Sequence, residues 1–313
     1  MKNPFFANTS GGVKFLFSIV LILLSTIIFT FLGTVFFAIF IDSNIFTNYS
    51  NFISDYSSPS TISFLKTTQI FQSIGLFVLP PFLIAFLFSK NTFSYLEFSS
   101  KINAITLLLA GVVMLSALPL INLTAEINQS LNLPDSLSEI EKIMQDAEIR
   151  AEKITKLFLN VNTIGSLFIN LFMMALIPAI GEELTFRALI QKSLSKKMNI
   201  HIAIFISAFI FSFIHFQFFG FLPRFLMGIF FGYIFYWTSN IWITIFAHFV
   251  NNSSAVLFAY FFGIDSIATD ASTFSNSEYY ITYIFSSLIL TSFFIYLIFY
   301  FSKKTKSRVI NIE

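Results

Sequence analysis

The sequence predicts an all-α membrane protein: a polytopic helical bundle of about eight transmembrane helices with both termini in the cytoplasm. Three observations carry this reading. The 313 residues are 56% hydrophobic and only 11% charged, whereas a soluble domain carries about 25% charged residues. Apolar runs close to the ~20 residues that a helix needs to cross a bilayer recur along the chain, with no sustained barrel-type alternation. The charges between those runs also sort by loop as the positive-inside rule requires. Cysteine is absent, which removes disulfides, thiolate zinc sites, a cysteine nucleophile and thioether lipid anchors. A net charge of +2 carries no nucleic-acid signal.

Spans are expected near 15–41, 67–89, 103–122, 160–181, 199–220, 222–239, 241–262 and 280–301. The first is too long for a secretory apolar region of roughly 7–15 residues and reads as a retained helix. Turn residues in Gly220-Phe221-Leu222-Pro223 and Thr238-Ser239-Asn240 divide what would otherwise be over-long helices. With the N-terminus inside, the inner loops receive Lys2, Lys14, Lys90, Lys101, Lys192, Lys196, Lys197, Lys303, Lys304, Lys306 and Arg308, against Glu97 and Glu313. The outer loops receive Asp42, Asp55, the acidic 126–152 stretch, Asp265, Asp270 and Glu278; Lys66, Arg224 and the basic residues of 142–156 are the exceptions.

One polar insert interrupts the apolar pattern. Ser136 and Glu139 have capping-box spacing. Leu137, Ile140, Met144, Ala147, Ala151, Ile154 and Phe158 then recur at steps of three and four, the signature of an amphipathic helix. It is expected on the outer surface of the bundle, with a lid or a docking element as the sharper reading. The chain therefore divides into 1–159, three spans plus this extracytoplasmic helix at about 135–158; a core at 160–262; and 263–313, the last loop, final span and basic tail.

The candidate site begins with two acids in an apolar run, Gly181-Glu182-Glu183-Leu184-Thr185-Phe186-Arg187. Carboxylates at membrane depth are costly and usually mark function. Glu183 and Arg187 are four apart, share a helix face and can pair. Glu182 is rotated by about 100° from Glu183 and is free to face the bundle interior, where burial tunes a carboxylate toward water activation. Of the three histidines, His215 and His248 fall in later apolar segments. Helical rise puts Glu182, His215, His248 and Asn252 about 12–21 Å from the inner face, so three helices can converge. His248 and Asn252 share a face and can donate to a developing oxyanion. His201 lies at a loop–helix junction without an expected chemical role, and Arg224 beside Pro223 reads as a solvent or headgroup contact.

Glu182-Glu183-x-x-x-Arg187, Phe211-x-x-x-His215 and His248-x-x-x-Asn252, in that order, resemble the three motifs of the CAAX-protease and bacteriocin-processing family. That family includes the Ras-converting CAAX endopeptidase and the bacterial Abi or CPBP membrane proteins. The resemblance covers roughly 160–262. It implies an intramembrane endopeptidase in which Glu182 is the general base, His215 orients the attacking water, His248 and Asn252 form an oxyanion pocket, and Glu183 and Arg187 are mainly architectural. No cofactor is expected, because there is no His-Glu-x-x-His motif and Asn is a poor zinc ligand. Zinc stays open as the alternative, with Glu182, His215 and His248 as its ligands. The expected partners are the lipid bilayer and a membrane-associated peptide or protein substrate, with no nucleic acid; the expected location is a bacterial inner membrane. A proton-coupled transporter, a non-catalytic immunity or scaffold protein, and a peptide-presenting relative are the competing readings.

Overall fold

A computed structural model describes residues 9–46, 55–98, 101–131, 133–160, 162–264 and 278–310, with side chains to 303. The described residues are 86% helical, without strands among them. Its helices are α1 (Gly11–Phe40), α2 (Pro59–Phe88), α3 (Ala104–Ser116), α4 (Leu118–Gln129), α5 (Ser138–Leu159), α6 (Ile164–Ser195), α7 (Ile200–Phe213), α8 (Phe221–Thr238), α9 (Ile241–Phe262) and α10 (Tyr280–Ile310).

Six of these are long and apolar enough to cross a membrane, and α3 with α4 adds a seventh if the pair, bent by 46°, is one span. This is a multi-pass membrane protein. The count falls short of eight at the 199–220 run. There α7 ends at Phe213 after 14 residues, a rise of about 21 Å against a hydrocarbon core of about 30 Å. Residues 214–220 form a turn instead, and it is this turn that carries His215.

Prolines explain the irregular helices. Pro119 lacks the N–H that would continue α3, and the bend falls just before it, at Ala117. Pro80 in α2 and Pro178 in α6 each follow a wider π-helical turn, at Ile74–Val78 and Leu171–Leu176; such turns absorb the lost hydrogen bond and recur at functional sites. A second π stretch within α6, Leu184–Gln191, begins directly after Glu183. At Gly181 the backbone of α6 lies so close to α2 that a Cβ would sit 2.6 Å from Phe77 Cβ. Glycine there permits the approach.

Polar contacts sort the loops into two ends. At one, Lys192 pairs with Glu97 (2.5 Å), the Asn240 amide donates to the Lys101 carbonyl, and the Lys14 ammonium lies over the Phe88 ring. At the other, Ser60 donates to Asp42, Asn128 to the Phe218 carbonyl, and Tyr280 to Glu126. The loop charges at Lys2, Asp265, Asp270 and Glu313 lie outside the described residues.

Helix α5 packs across this second end. Its C-terminus is anchored where Lys66 donates to the Phe158 carbonyl (3.2 Å) and to Asn170 on α6 (2.9 Å). Met144, Ala147, Ala151 and Ile154 face inward while Leu137 and Ile140 are exposed. No capping box forms, because Asp135–Leu137 folds as a 3-10 turn and α5 starts after Leu137 without a side-chain cap. Burial against the bundle pushes the Glu148 carboxyl up, Glu152 adds to this, and Arg224 with the Phe219 amide opposes it. A carboxyl raised in the docked helix stabilises docking while protonated, and that contribution is lost as pH rises through the raised midpoint. Hydrogen exchange in α5, corrected for intrinsic rates, is thus expected to be slower near about pH 5 than near about pH 8. In Glu148→Gln this difference should shrink; an unchanged difference would assign it to other groups.

Candidate functional site

The site is assembled from the middle of α6, the end of α7, and the facing sides of α8 and α9. Glu183 and Arg187 pair at 3.1 Å, with side chains 0% and 1% exposed. The guanidinium lies between the rings of Phe211 (4.9 Å) and Phe231 (5.3 Å) and donates to the Gly228 carbonyl at 3.2 Å. One turn on, Gln191 donates to the Gly232 carbonyl at 3.0 Å. Thus α6 grips α8 through two side chains spaced to meet two glycine carbonyls. Cβ atoms on those glycines would crowd Ala208 and Ile204 of α7, so Gly228 and Gly232 let three helices meet closely, as small-residue spacing does in membranes.

Glu183 also reaches α9. Its Oε1 accepts from His248 Nδ1 at 2.9 Å. A carboxylate can only accept, so Nδ1 carries the proton. The imidazole is stacked on Phe231 (5.0 Å, 17°) and meets the edge of Phe211 at 6.0 Å. Its other nitrogen, Nε2, faces Glu182 Oε2 at 3.8 Å, beyond direct hydrogen-bonding range. Glu182 is buried, at 8% exposure. The result is a linear order, Arg187–Glu183–His248–Glu182, with a fixed cation at one end and a carboxylate at the other.

His215 stands two residues beyond the end of α7 at Phe213. Its Nδ1 lies 2.8 Å from the Phe211 carbonyl, which sets the proton on Nδ1 and leaves Nε2 as the free acceptor. Glu182, His248 and Arg224 are all within its electrostatic reach. Phe211 packs edge-on to both His215 (5.4 Å) and His248 (6.0 Å). Asn252 lies one turn along α9 from His248, half-buried, and its side-chain oxygen accepts from Asn251 at 3.1 Å. His201 is apart from this group, exposed and 2.9 Å from the Tyr233 hydroxyl. Arg224, expected as a solvent or headgroup contact, is half-buried, and its guanidinium folds back on Gln217.

Among the described residues no group of three His, Asp or Glu is arranged to hold a metal. Nδ1 of His248 is held by Glu183, and Nδ1 of His215 by a backbone carbonyl, which leaves the two Nε2 atoms and Glu182 as the open donors.

Phe231, Gln191 and the two glycines of α8 belong to none of the three motifs in the sequence. Gly228-Ile229-Phe230-Phe231-Gly232 was the available signal, since small residues four apart mark close helix packing.

This fold and site define a class, a polytopic membrane bundle with a buried, carboxylate-bearing polar centre. Residues 164–254 match the family model described as Rce1-like, type II CAAX prenyl endopeptidase. The matched segment is under a third of the chain, and it holds all seven motif residues from Glu182 to Asn252. The resemblance read from the three motifs is therefore shown, and its family is one of membrane proteases. No curated protein and no solved structure matches the chain.

Proposed function

We propose that this protein is an intramembrane endopeptidase that hydrolyses a peptide bond of a membrane-associated protein or peptide with a glutamate-activated water. The observation that carries the reading is the buried Glu182 carboxylate facing an imidazole whose far side is held by the Glu183–Arg187 pair. Glu182 takes the proton of the attacking water as general base. His215, with Nε2 free to accept, orients that water from the α7 side. His248 donates from Nε2 to the developing oxyanion, with its Nδ1–H held by the Glu183 carboxylate. Glu183 thus has a part beyond architecture. Asn252, one turn further on α9, supplies the second donor.

The basic loops beside Lys14, Lys101 and Lys192 assign that end of the bundle to the cytoplasm by the positive-inside rule. Both termini then lie inside, whether α7 with α8 crosses fully or turns back within the bilayer. A bacterial inner membrane is the proposed setting, and the substrate is the end of a membrane-associated chain or a short hydrophobic leader.

The test is cleavage of a quenched fluorescent peptide library by the purified protein in detergent, with and without a strong chelator, beside His215→Ala. Cleavage that survives the chelator and falls by about 10²-fold or more in His215→Ala supports the mechanism. Loss to the chelator with restoration by zinc would overturn the metal-independent reading. Proton-dependent flux in vesicles without cleavage would overturn the enzyme reading.

A further inference from the structure

The turn that carries His215 is conformationally costly and is held from three sides. Phe216 has a positive φ of 51°, a left-handed backbone that a bulky residue keeps only where the surroundings impose it. From α4, Asn128 donates to the Phe218 carbonyl (2.9 Å) and accepts from the Leu222 amide (2.6 Å). From α7, Ser212 donates to the Phe221 carbonyl at 2.7 Å. From α8, the Arg224 fork closes on Gln217, with Nη1 donating to Oε1 (2.9 Å) and Nη2 to the carbonyl oxygen (2.5 Å). The guanidinium also lies flat against Gly220, where a Cβ would come within 2.7–2.9 Å of three of its atoms. Arg224 further faces Glu182 of the site and Glu148 of α5.

We propose that Arg224 is a positioning residue for His215: its two-pronged hold on Gln217 fixes the turn that presents the imidazole to Glu182. The catalytic consequence rests on the function proposed above; the geometric consequence does not. An arginine suits this task because a planar fork satisfies a side-chain and a main-chain oxygen at once, whereas a lysine ammonium is a single point charge.

Two variants remove the hold in different ways. Arg224→Gln deletes the fork. Gly220→Ala keeps every charge but places a methyl where the guanidinium lies; its backbone, φ −108° and ψ 8°, is open to alanine, so the change acts through Arg224. With three histidines in the chain, selective isotope labelling of the imidazole carbons gives one resonance per ring. In both variants the His215 signal is expected to shift or double while those of His201 and His248 stay in place. Where peptide cleavage is measured, kcat falls roughly 10- to 100-fold with KM within about twofold, as for a misplaced reacting group. Arg224→Lys should leave the His215 signal displaced. An unmoved His215 resonance in Gly220→Ala, or full recovery by lysine, would overturn the proposal. A wild-type protein that cuts nothing, with the His215 resonance still displaced in the two variants, supports the positioning contact and defeats only the protease reading. If Arg224→Gln does not fold, Gly220→Ala decides.

Discussion

Glu182→Gln is expected to lower peptide cleavage by roughly 10²–10⁴-fold, the range for removal of a positioned general base. The fold should survive. The amide is nearly isosteric with the carboxylate, and Glu182 stands outside the ion pair, with its nearest ionisable partner, His248 Nε2, at 3.8 Å. The measurement is kcat/KM on a cleaved peptide beside elution volume and thermal unfolding in the same detergent. Undiminished cleavage would remove Glu182 from the mechanism, and with it the glutamate-activated water. Loss of cleavage together with loss of fold would reassign Glu182 to architecture.

Breaking the pair beside it should act on stability first. Arg187→Ala leaves the Glu183 carboxylate buried, and Glu183→Gln leaves the guanidinium buried; each is expected to cost about 3–5 kcal/mol, as for one partner of a desolvated ion pair. Replacing both, Glu183→Gln with Arg187→Met, should recover most of that loss, since no unpaired charge remains. Cleavage should not return with it, because His248 Nδ1 then faces a neutral amide in place of a carboxylate. Thermal midpoints and folded yields test the first part, and activity of the double variant tests the second. A single variant as stable as wild type would show that the pair does not hold α6, and full activity in the double variant would show that Glu183 does not act through His248.

Much of this site was legible in the chain because its strongest contact is local. Glu183 and Arg187 lie four apart, and helical geometry alone brings them together. His215 and His248 drew notice because polar residues in apolar runs are rare. The contact between Glu183 and His248, 65 residues apart, carries no local signature. Neither does the stacking of Phe231 on His248: in a chain with 46 phenylalanines, one more ring on a helix draws no attention. Arg224 illustrates the same limit. Beside a proline at a predicted helix start it read as a solvent contact, and only the fold of the turn shows its guanidinium enclosed by Gln217 and Gly220.

The 199–220 run shows where hydropathy fails. Its 22 apolar-looking positions meet the length of a span, yet α7 ends at Phe213. Hydropathy sums side-chain transfer energies and does not register where a chain turns, and this turn costs little once Asn128, Ser212 and Arg224 satisfy its backbone. The capping box before α5 failed for a related reason: Ser136 and Glu139 have the spacing, but a 3-10 turn over Asp135–Leu137 takes the place of the first helical turn.

By itself the sequence determined the all-α membrane character, the sorting of charged loops to two ends, the amphipathic α5 and the three motifs, because each depends on composition or on periodicity along one helix. The tertiary structure alone decided that Glu183 serves Arg187 and His248 at once, and that the His215 turn is clamped from α4, α7 and α8. Those features depend on which faces of separate helices meet. That is set by close approach at Gly181, Gly228 and Gly232, a three-dimensional packing outcome that no one-dimensional period encodes.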